Sequence, residues 1–307
     1  MPVTPRSPSH ADTLQRFVFE RARVRGELVS LEETWREVRR RRPYPDAVGS
    51  ALGELSAASV LLAATLKFPG GALVLQIQGG LPVDLLVVEC QADLGVRAMA
   101  RWDGGLDALG ASPTLHDLAA GGRCVLTLDP GSGLAAYQGV VSLEGRTTAQ
   151  VLERYMSRSE QIGTLFALAA NEERAAGLLL QRLPATGGKP TPDADPDLWN
   201  RVGHFVATLT RAELLELPGR EILRRLFHDE DLRLYESMPV RFACRCSRER
   251  VAGLIRMVGA DEVRAALDAC GTVDVTCEFC GQGYAFSRDE AQRALDDPAG
   301  KTPERAS

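Results

Sequence analysis

The sequence predicts an α+β protein with an N-terminal mixed α/β sheet domain, a helical linker and a small C-terminal four-cysteine zinc domain. Three observations carry this. Short alternating runs broken by Gly and Asp turns between Ala72 and Glu144 read as a largely antiparallel sheet. A stretch rich in Pro and Gly, Leu183 to Pro196, then interrupts the chain ahead of short amphipathic helices. Finally, five of the seven cysteines fall between 244 and 280. The expected boundaries are a disordered tail over 1–14, the sheet domain over 15–184, the linker over 185–240, the zinc domain over 241–297 and a tail over 298–307.

Taken in order, Phe17, Phe19, Val24, Leu28 and Val29 suggest two strands turning about Arg25-Gly26-Glu27. Leu31 to Val38 admits either helix or strand. The basic run Arg36 and Arg39 to Arg42 is interleaved with Glu32, Glu33 and Glu37, so it reads as a solvated helix end rather than a phosphate site. Pro45 to Leu66 is a core helix, with Val48, Leu52, Leu55, Ser59 and Leu62 at helical spacing and Pro69-Gly70-Gly71 as its stop. Leu73–Gln78, Asp84–Cys90, Val96–Trp102, Arg123–Leu128 and Tyr137–Leu143 are strands. Gly131-Ser-Gly133-Leu-Ala-Ala136 matches a dinucleotide fingerprint, but that motif needs a helix N-terminus after it; Val140-Val141 follow instead, so a hairpin is expected. Thr147 or Thr148 caps a helix expected to reach Ala170, and Ala176–Leu183 is a last strand.

Beyond the linker, Leu198, Val202, Phe205, Val206 and Leu209 share a helix face. Thr210-x-x-Glu213 is a capping box for the next helix, which Pro218-Gly219 ends, and Ile222, Leu223, Leu226 and Phe227 belong to a third. Helices this short are marginal alone and depend on docking. In the last segment Ser247 caps a helix striped by Val251, Leu254, Ile255 and Val258, and Gly259 stops it. Asp261 opens another short helix. Thr272–Thr276 and Tyr284–Phe286 form a hairpin, and Ser287-x-x-Glu290 caps a final helix.

The chain has 307 residues, 45% apolar and 25% charged, which fits a globular protein with a sizeable core. Its net charge of −5 provides no basic field for nucleic acid or anionic lipid. The N-terminus lacks the apolar core of a signal peptide, and the run Ala57–Leu66 is too short to span a bilayer, so a cytoplasmic protein with reduced thiols is expected. Grouped cysteines in that compartment point to metal or redox chemistry. Cys244-x-Cys246 and Cys277-x-x-Cys280 are separated by 30 residues, and four thiolates satisfy one tetrahedral Zn²⁺ at about 2.3 Å per bond. No histidine falls between 229 and 307, so an all-sulfur site at Cys244, Cys246, Cys277 and Cys280 is expected. Cys90 and Cys124 sit in apolar strand patterns as inert small hydrophobes. Cys270, at a helix end, is expected to be dispensable as well.

The motif C-x-C-x30-C-x-x-C resembles that of the Hsp33 family of redox-regulated chaperones. So do Phe227-His-Asp-Glu-Asp-Leu-Arg-Leu-Tyr235, Pro239 to Arg250, and Tyr284 with Phe286 after the second knuckle. In the first domain Tyr155-Met-Ser-Arg-Ser-Glu-Gln161 and Gly177-Leu-Leu-Leu-Gln-Arg-Leu-Pro184 match too, so the resemblance spans about residues 15 to 290. Leu81 and Pro82 depart from a more glycine-rich turn, and Cys270 is an addition. The resemblance implies an ATP-independent holdase of the stress response, with one zinc in the inactive reduced form. On oxidation it implies disulfides Cys244–Cys246 and Cys277–Cys280, zinc release, linker unfolding, homodimer formation and binding of unfolding client proteins. The apolar faces carrying Phe205, Leu209, Leu214, Ile222, Leu226 and Phe227 are the expected client-binding and linker residues.

Two rivals are weaker. A nucleic-acid-binding zinc ribbon has Arg245, Arg248 and Arg250, but Glu249, Glu278, Asp274 and Asp289 offset them. A thiol oxidoreductase would place Cys277-Glu-Phe-Cys280 in a βαβ unit, which the surrounding pattern lacks, and no hydrolase motif occurs. No enzymatic activity, no nucleic-acid partner and no membrane partner are expected.

Overall fold

The structure, a computed structural model, describes residues 12–65, 70–110, 113–131, 135–183, 195 and 197–296. Leu66, both expected tails as far as residue 11 and from residue 297, and nearly all of the Pro/Gly-rich stretch lie outside the described residues. The chain divides into two compact units, 1–243 and 244–307.

The first unit is built on two sheets. β1 (Thr13–Phe19), β2 (Val24–Leu31), β8 (Thr164–Ala170) and β9 (Ala175–Arg182) form the first, in the order β1-β2-β9-β8, all antiparallel. The short β10 (Leu232–Leu234) and β11 (Met238–Pro239) both pair with β1. The second sheet takes β3 (Ala72–Gln78), β4 (Val83–Gln91), β5 (Gly95–Trp102), β6 (Arg123–Asp129) and β7 (Tyr137–Ser142), in the order β5-β4-β3-β6-β7. β12 (Arg241–Phe242) joins β5 in parallel. The five expected strands between Ala72 and Glu144 are thus present and antiparallel. The nucleotide-like motif falls in the β6–β7 connection, and β7 rather than a helix follows it.

Helix α2 (Asp46–Thr65) is the shared core. It touches β2, β8 and β9 of one sheet and β3, β4 and β5 of the other. Its 20 residues are long and apolar enough to cross a membrane, a span longer than the apolar run Ala57–Leu66 suggests, but 83% of that window is buried inside the protein. α1 (Glu33–Arg41) resolves the ambiguous stretch as helix. Its first amides are capped from a distance: the Asp12 carboxylate accepts from the N–H groups of Glu32, Glu33 and Thr34. Leu14 is fully buried, so strand order begins within the segment assigned to the tail. Within the basic run Arg36 pairs with Glu32 and Glu33 and Arg40 with Glu37, as in a solvated helix end, whereas Arg39 is largely covered and reaches Glu172 at 3.7 Å and Arg41 lies over the Phe242 ring.

Two sequence expectations are corrected. The first hairpin turns at Glu20–Arg23, and Gly26 is a strand residue facing Phe17. A Cβ at Gly26 would stand 2.1 Å from the Phe17 ring, so glycine here makes room for an aromatic rather than a turn. The helix expected over 147–170 is α4 (Thr148–Arg158) alone. Gln161 adopts φ 55° and Gly163 precedes β8, whose alternating burial hides Thr164, Phe166 and Leu168. Ile162, Leu165 and Phe166 fit a helical spacing by coincidence, and pairing with β9 overrides it. The structure also adds a 3-10 turn at Leu106–Leu109 and the one-turn α3 (Leu115–Leu118).

On the face of the first sheet away from α2 lie α5 (Leu198–Thr208), α6 (Arg211–Glu216) and α7 (Gly219–Leu226). The Thr210–Glu213 capping box forms as expected. These helices bury Leu198, Val202, Val206, Leu214, Ile222, Leu223 and Leu226 against Phe17, Phe19, Val24, Leu28, Leu178 and Leu180.

The face towards α2 contains an isolated carboxyl. Glu27 is 2% exposed, and its Oε2 has no hydrogen-bond partner among the described residues. Burial pushes its pKa up to about 7, against smaller downward pulls from Arg25 and Arg16. The folded value lies above the unfolded one, so folding favours the protonated form. Stability is therefore fully present below about pH 4.5 and falls as pH rises to about 7, by roughly 3 kcal/mol in all. Urea unfolding of the native chain and of Glu27→Gln should give curves that differ little at pH 5 and diverge by pH 8, with the variant the more stable.

Candidate metal centre

The second unit is small. α8 (Arg248–Val258), α9 (Ala260–Cys270), the hairpin β13 (Thr272–Thr276) and β14 (Gly283–Ser287), and α10 (Arg288–Asp296) surround a core of Val251, Ile255, Val263, Leu267, Phe286, Ala291 and Ala294. Each element matches the sequence reading, with one difference. Leu254 and Val258, expected in the buried stripe of α8, are 50% and 58% exposed. The small core uses only Val251 and Ile255 of that stripe.

Two loops bring the cysteines together. Cys244 and Cys246 precede α8, whose N-cap Ser247 accepts from the Arg250 N–H at 3.3 Å, while the Arg250 guanidinium donates back to the Arg245 carbonyl at 3.1 Å. Cys277 and Cys280 lie in the turn of the β13–β14 hairpin. There the Gly281 N–H donates to the Cys277 carbonyl at 2.8 Å and the Cys277 N–H to the Gln282 carbonyl at 2.9 Å. Gly281 has φ 71°, the left-handed conformation that glycine adopts without strain. Arg248 fastens α8 to the hairpin by donating to the Ala285 carbonyl at 2.7 Å, pairing with Glu290 at 2.9 Å and stacking over Phe286.

All four sulfurs lie within 4.8 Å of one another, with Cys244–Cys277 at 3.7 Å and Cys246–Cys280 at 3.3 Å. Corners of a tetrahedron with metal–sulfur bonds of about 2.3 Å stand roughly 3.8 Å apart. The four side chains therefore fit a metal ion, and among the described residues no other histidine, cysteine or carboxylate group gathers in this way. Burial pushes the Cys246 thiol up, but hydrogen bonds from the Tyr284 hydroxyl and from the other three thiols outweigh it and bring it down to about 7. Cys280 moves the other way, chiefly through burial, and Tyr284 rises to about 12 because its hydroxyl supports the Cys246 sulfur. Tyr284 is a contributor the sequence offered as a hairpin residue and as part of the family resemblance, with no role at the sulfurs. The structural signal of that role is its register on β14, opposite Val275 and beside the knuckle.

The other cysteines stand outside this cluster. Cys90 and Cys124 are fully buried in strands and their pKa values are raised by burial, that of Cys124 to about 12, which keeps both as inert thiols. Cys270 is exposed at the end of α9. Of the residues expected to bind clients, Leu214, Ile222, Leu226 and Phe227 are buried, and Phe205 and Leu209 pack beside them on the first sheet. Phe227 meets Phe19 edge-on at 5.2 Å and Phe17 at 6.1 Å.

Comparison with known proteins agrees with this architecture. The family model described as Hsp33 protein matches residues 12–287. The chain is 46% identical over 284 residues to a 33 kDa chaperonin of Methylobacillus flagellatus, covering 92% of this chain and 94% of that one. It is 46% identical over 289 residues to a 33 kDa chaperonin of Chromobacterium violaceum, with 94% and 95% covered. The crystal structure of a 33 kDa chaperonin from Thermotoga maritima superposes with a TM-score of 0.75 over 93% of this chain and 98% of that one, at 19% identity, a likeness of fold.

Anaerobic titration with Co²⁺ should saturate at one ion per chain and produce the near-ultraviolet charge-transfer absorption of thiolate ligands. The Cys277→Ser/Cys280→Ser double variant should lose that stoichiometric binding. A nitrogen ligand detected by X-ray absorption would contradict the all-sulfur site.

Proposed function

Because the chain belongs to the Hsp33 family, we propose that it is a redox-regulated, ATP-independent holdase that binds unfolding proteins once its cysteine unit has been oxidised. The family is one of chaperones rather than enzymes. The burial of an apolar sheet face beneath three short helices carries this reading. α5, α6 and α7 have 11, 6 and 8 residues, too few to persist undocked, and each lies between breakers or caps rather than in a longer helix. Were they to melt, Phe205, Leu209, Leu214, Ile222, Leu226 and Phe227 would be released, and Phe17, Phe19, Val24 and Leu28 on the sheet would lose their cover.

The trigger in this reading is the four-cysteine cluster, with zinc as the resident metal. Bound zinc would keep the four cysteines as thiolates and cross-link the loop before α8 to the hairpin. A peroxide takes two electrons per disulfide: one thiolate attacks a peroxide oxygen and expels hydroxide to give a sulfenic acid, and the neighbouring thiolate attacks that sulfur and displaces a second hydroxide, each hydroxide taking a proton from solvent. The pairing proposed is Cys244–Cys246 and Cys277–Cys280. A disulfide needs about 2.05 Å between sulfurs, so with both formed Cys244, Cys246, Cys277 and Cys280 would no longer offer the four thiolates that would hold a zinc ion. A structural zinc contributes about 10–16 kcal/mol where whole domains are stable by about 5–15 kcal/mol, so a unit with this small a core unfolds without it. Unfolding then spreads to α5–α7, and the exposed apolar surface holds clients, with homodimer formation in the oxidised state. Reduction with zinc reverses it. The cytoplasm, with its reduced thiols, is the compartment this cycle fits.

Hydrogen exchange on reduced and oxidised protein tests the gate: amides 198–234 should lose protection in the form that suppresses aggregation. Persistent protection there, in a form already active, would mean that clients bind a surface present throughout. A second experiment addresses the spare thiols. Cys270→Ser, and Cys90→Ala with Cys124→Ala, should leave peroxide activation and zinc release unchanged; loss of activation in Cys270→Ser alone would break the four-cysteine scheme.

A further inference from the structure

Strand β8 is an edge of the first sheet, and its two ends fix which way its backbone points. The Arg182 N–H donates to the Gly163 carbonyl and the Asn171 N–H to the Arg174 carbonyl, each at 2.9 Å. Residues 163 and 171 therefore face β9, and by antiparallel alternation Thr164, Phe166, Leu168 and Ala170 turn their N–H and C=O groups outward. Three side chains stand in for a neighbouring strand at two points along that outward row. The Glu153 carboxylate of α4 accepts from the Phe166 N–H at 2.8 Å. The Arg211 guanidinium of α6 donates to the Ala170 carbonyl at 3.2 Å, and the Ser50 hydroxyl approaches it at 3.4 Å. Between them the edge opens on a cavity of about 280 Å³, walled by Phe166, Leu168, Val206, Leu209, Leu214 and Arg211.

We propose that this open edge is where an extended segment of an unfolded client adds to the sheet as a strand, with α6 as its gate. The inference rests on the holdase reading and assigns it a binding mode. An outward row of alternating donors and acceptors is matched by another backbone, whatever its sequence, and Phe166 and Leu168, which stay with the strand when the helices melt, favour apolar side chains beside it. Such pairing suits a chaperone whose clients share unfolding rather than a motif. A second copy offering its own β8 would bring its own α4 and α6 into the same space. The chain's own Pro184–Pro196 stretch has four prolines, each lacking the N–H that pairing requires. Melting α6 removes Arg211 from the Ala170 carbonyl and takes Leu214 from the wall, so the edge lengthens when the switch opens.

Residue-resolved hydrogen exchange by NMR on the full oxidised chain, with and without reduced, carboxymethylated α-lactalbumin as the unfolded probe, tests this. The probe should slow exchange at Leu168 and Ala170 about tenfold or more, the effect of a hydrogen bond worth roughly 1.4 kcal/mol. Leu165, Ala167 and Ala169, already facing β9, should change little. Co-elution of probe and chaperone with no slowing at Leu168 and Ala170 would overturn the edge site and leave the holdase reading standing. Loss of protection at Leu165, Ala167 and Ala169 on oxidation would also overturn it, since the edge would then be gone. Failure of the oxidised chain to bind the probe at all would overturn the holdase reading, and the edge site with it.

Discussion

Because β9 is buried on both faces from Ala175 to Gln181, the first sheet needs apolar cover on both sides, and the rest of the first unit is arranged to supply it. One side receives α2, whose 20 residues also fill the second sheet's inner face. Among the described residues the other is covered by α5, α6 and α7. The two covers differ in kind. α2 is held between two sheets and cannot leave without dissolving the core, whereas the three short helices are held by one face alone. At about 25 cal/mol per Å² of apolar surface removed from water, that face is strongly stabilised while covered and strongly adhesive once bare. In the proposed cycle, a sheet with one cover locked in the core and another held on one face would give a chaperone a stored binding surface.

Polar contacts fasten these three helices at chosen points. Arg211 reaches from the start of α6 to Glu54 and to the Ala170 carbonyl, and Arg174, in the β8–β9 turn, reaches the Leu215 carbonyl near its end while pairing with Glu32 at 3.2 Å. α6 is thus clamped at both ends by arginines. The Arg211 guanidinium is half-exposed, so its pair is weakened by solvent, which would suit a contact that forms and breaks in the proposed cycle, whereas Arg174 and Glu32 are largely covered.

The cysteine unit works by scarcity. Its core is a handful of Val, Ile, Leu and Ala side chains with one Phe, and part of the α8 stripe faces outward. A unit this size lacks the buried area to be secure on packing alone. Its two cysteine-bearing loops meet at the sulfurs, so the stability of the fold is tied to the chemical state of four atoms. Tyr284 strengthens that link by supporting the sulfur of Cys246.

Much of this was legible in the chain. Paired cysteines on two short loops specify their own chemistry, because C-x-C and C-x-x-C spacing forces neighbouring thiols to converge wherever the loops are brought together. Capping boxes at Thr210 and Ser287, and the glycine stop at Gly259, are local effects and formed where the residues stand. What the chain alone left undecided depended on partners distant in sequence. Gly26 looks like a turn until Phe17 is seen to occupy the space of its missing side chain. Thr164–Ala170 carries a helical spacing and becomes a strand because β9 offers it a ladder. β10, β11 and β12 are two- or three-residue segments whose strand character comes from β1 and β5. Sequence determined the local signals and the cysteine chemistry; tertiary pairing decided which face of the first sheet lies under α2 and which under helices short enough to leave.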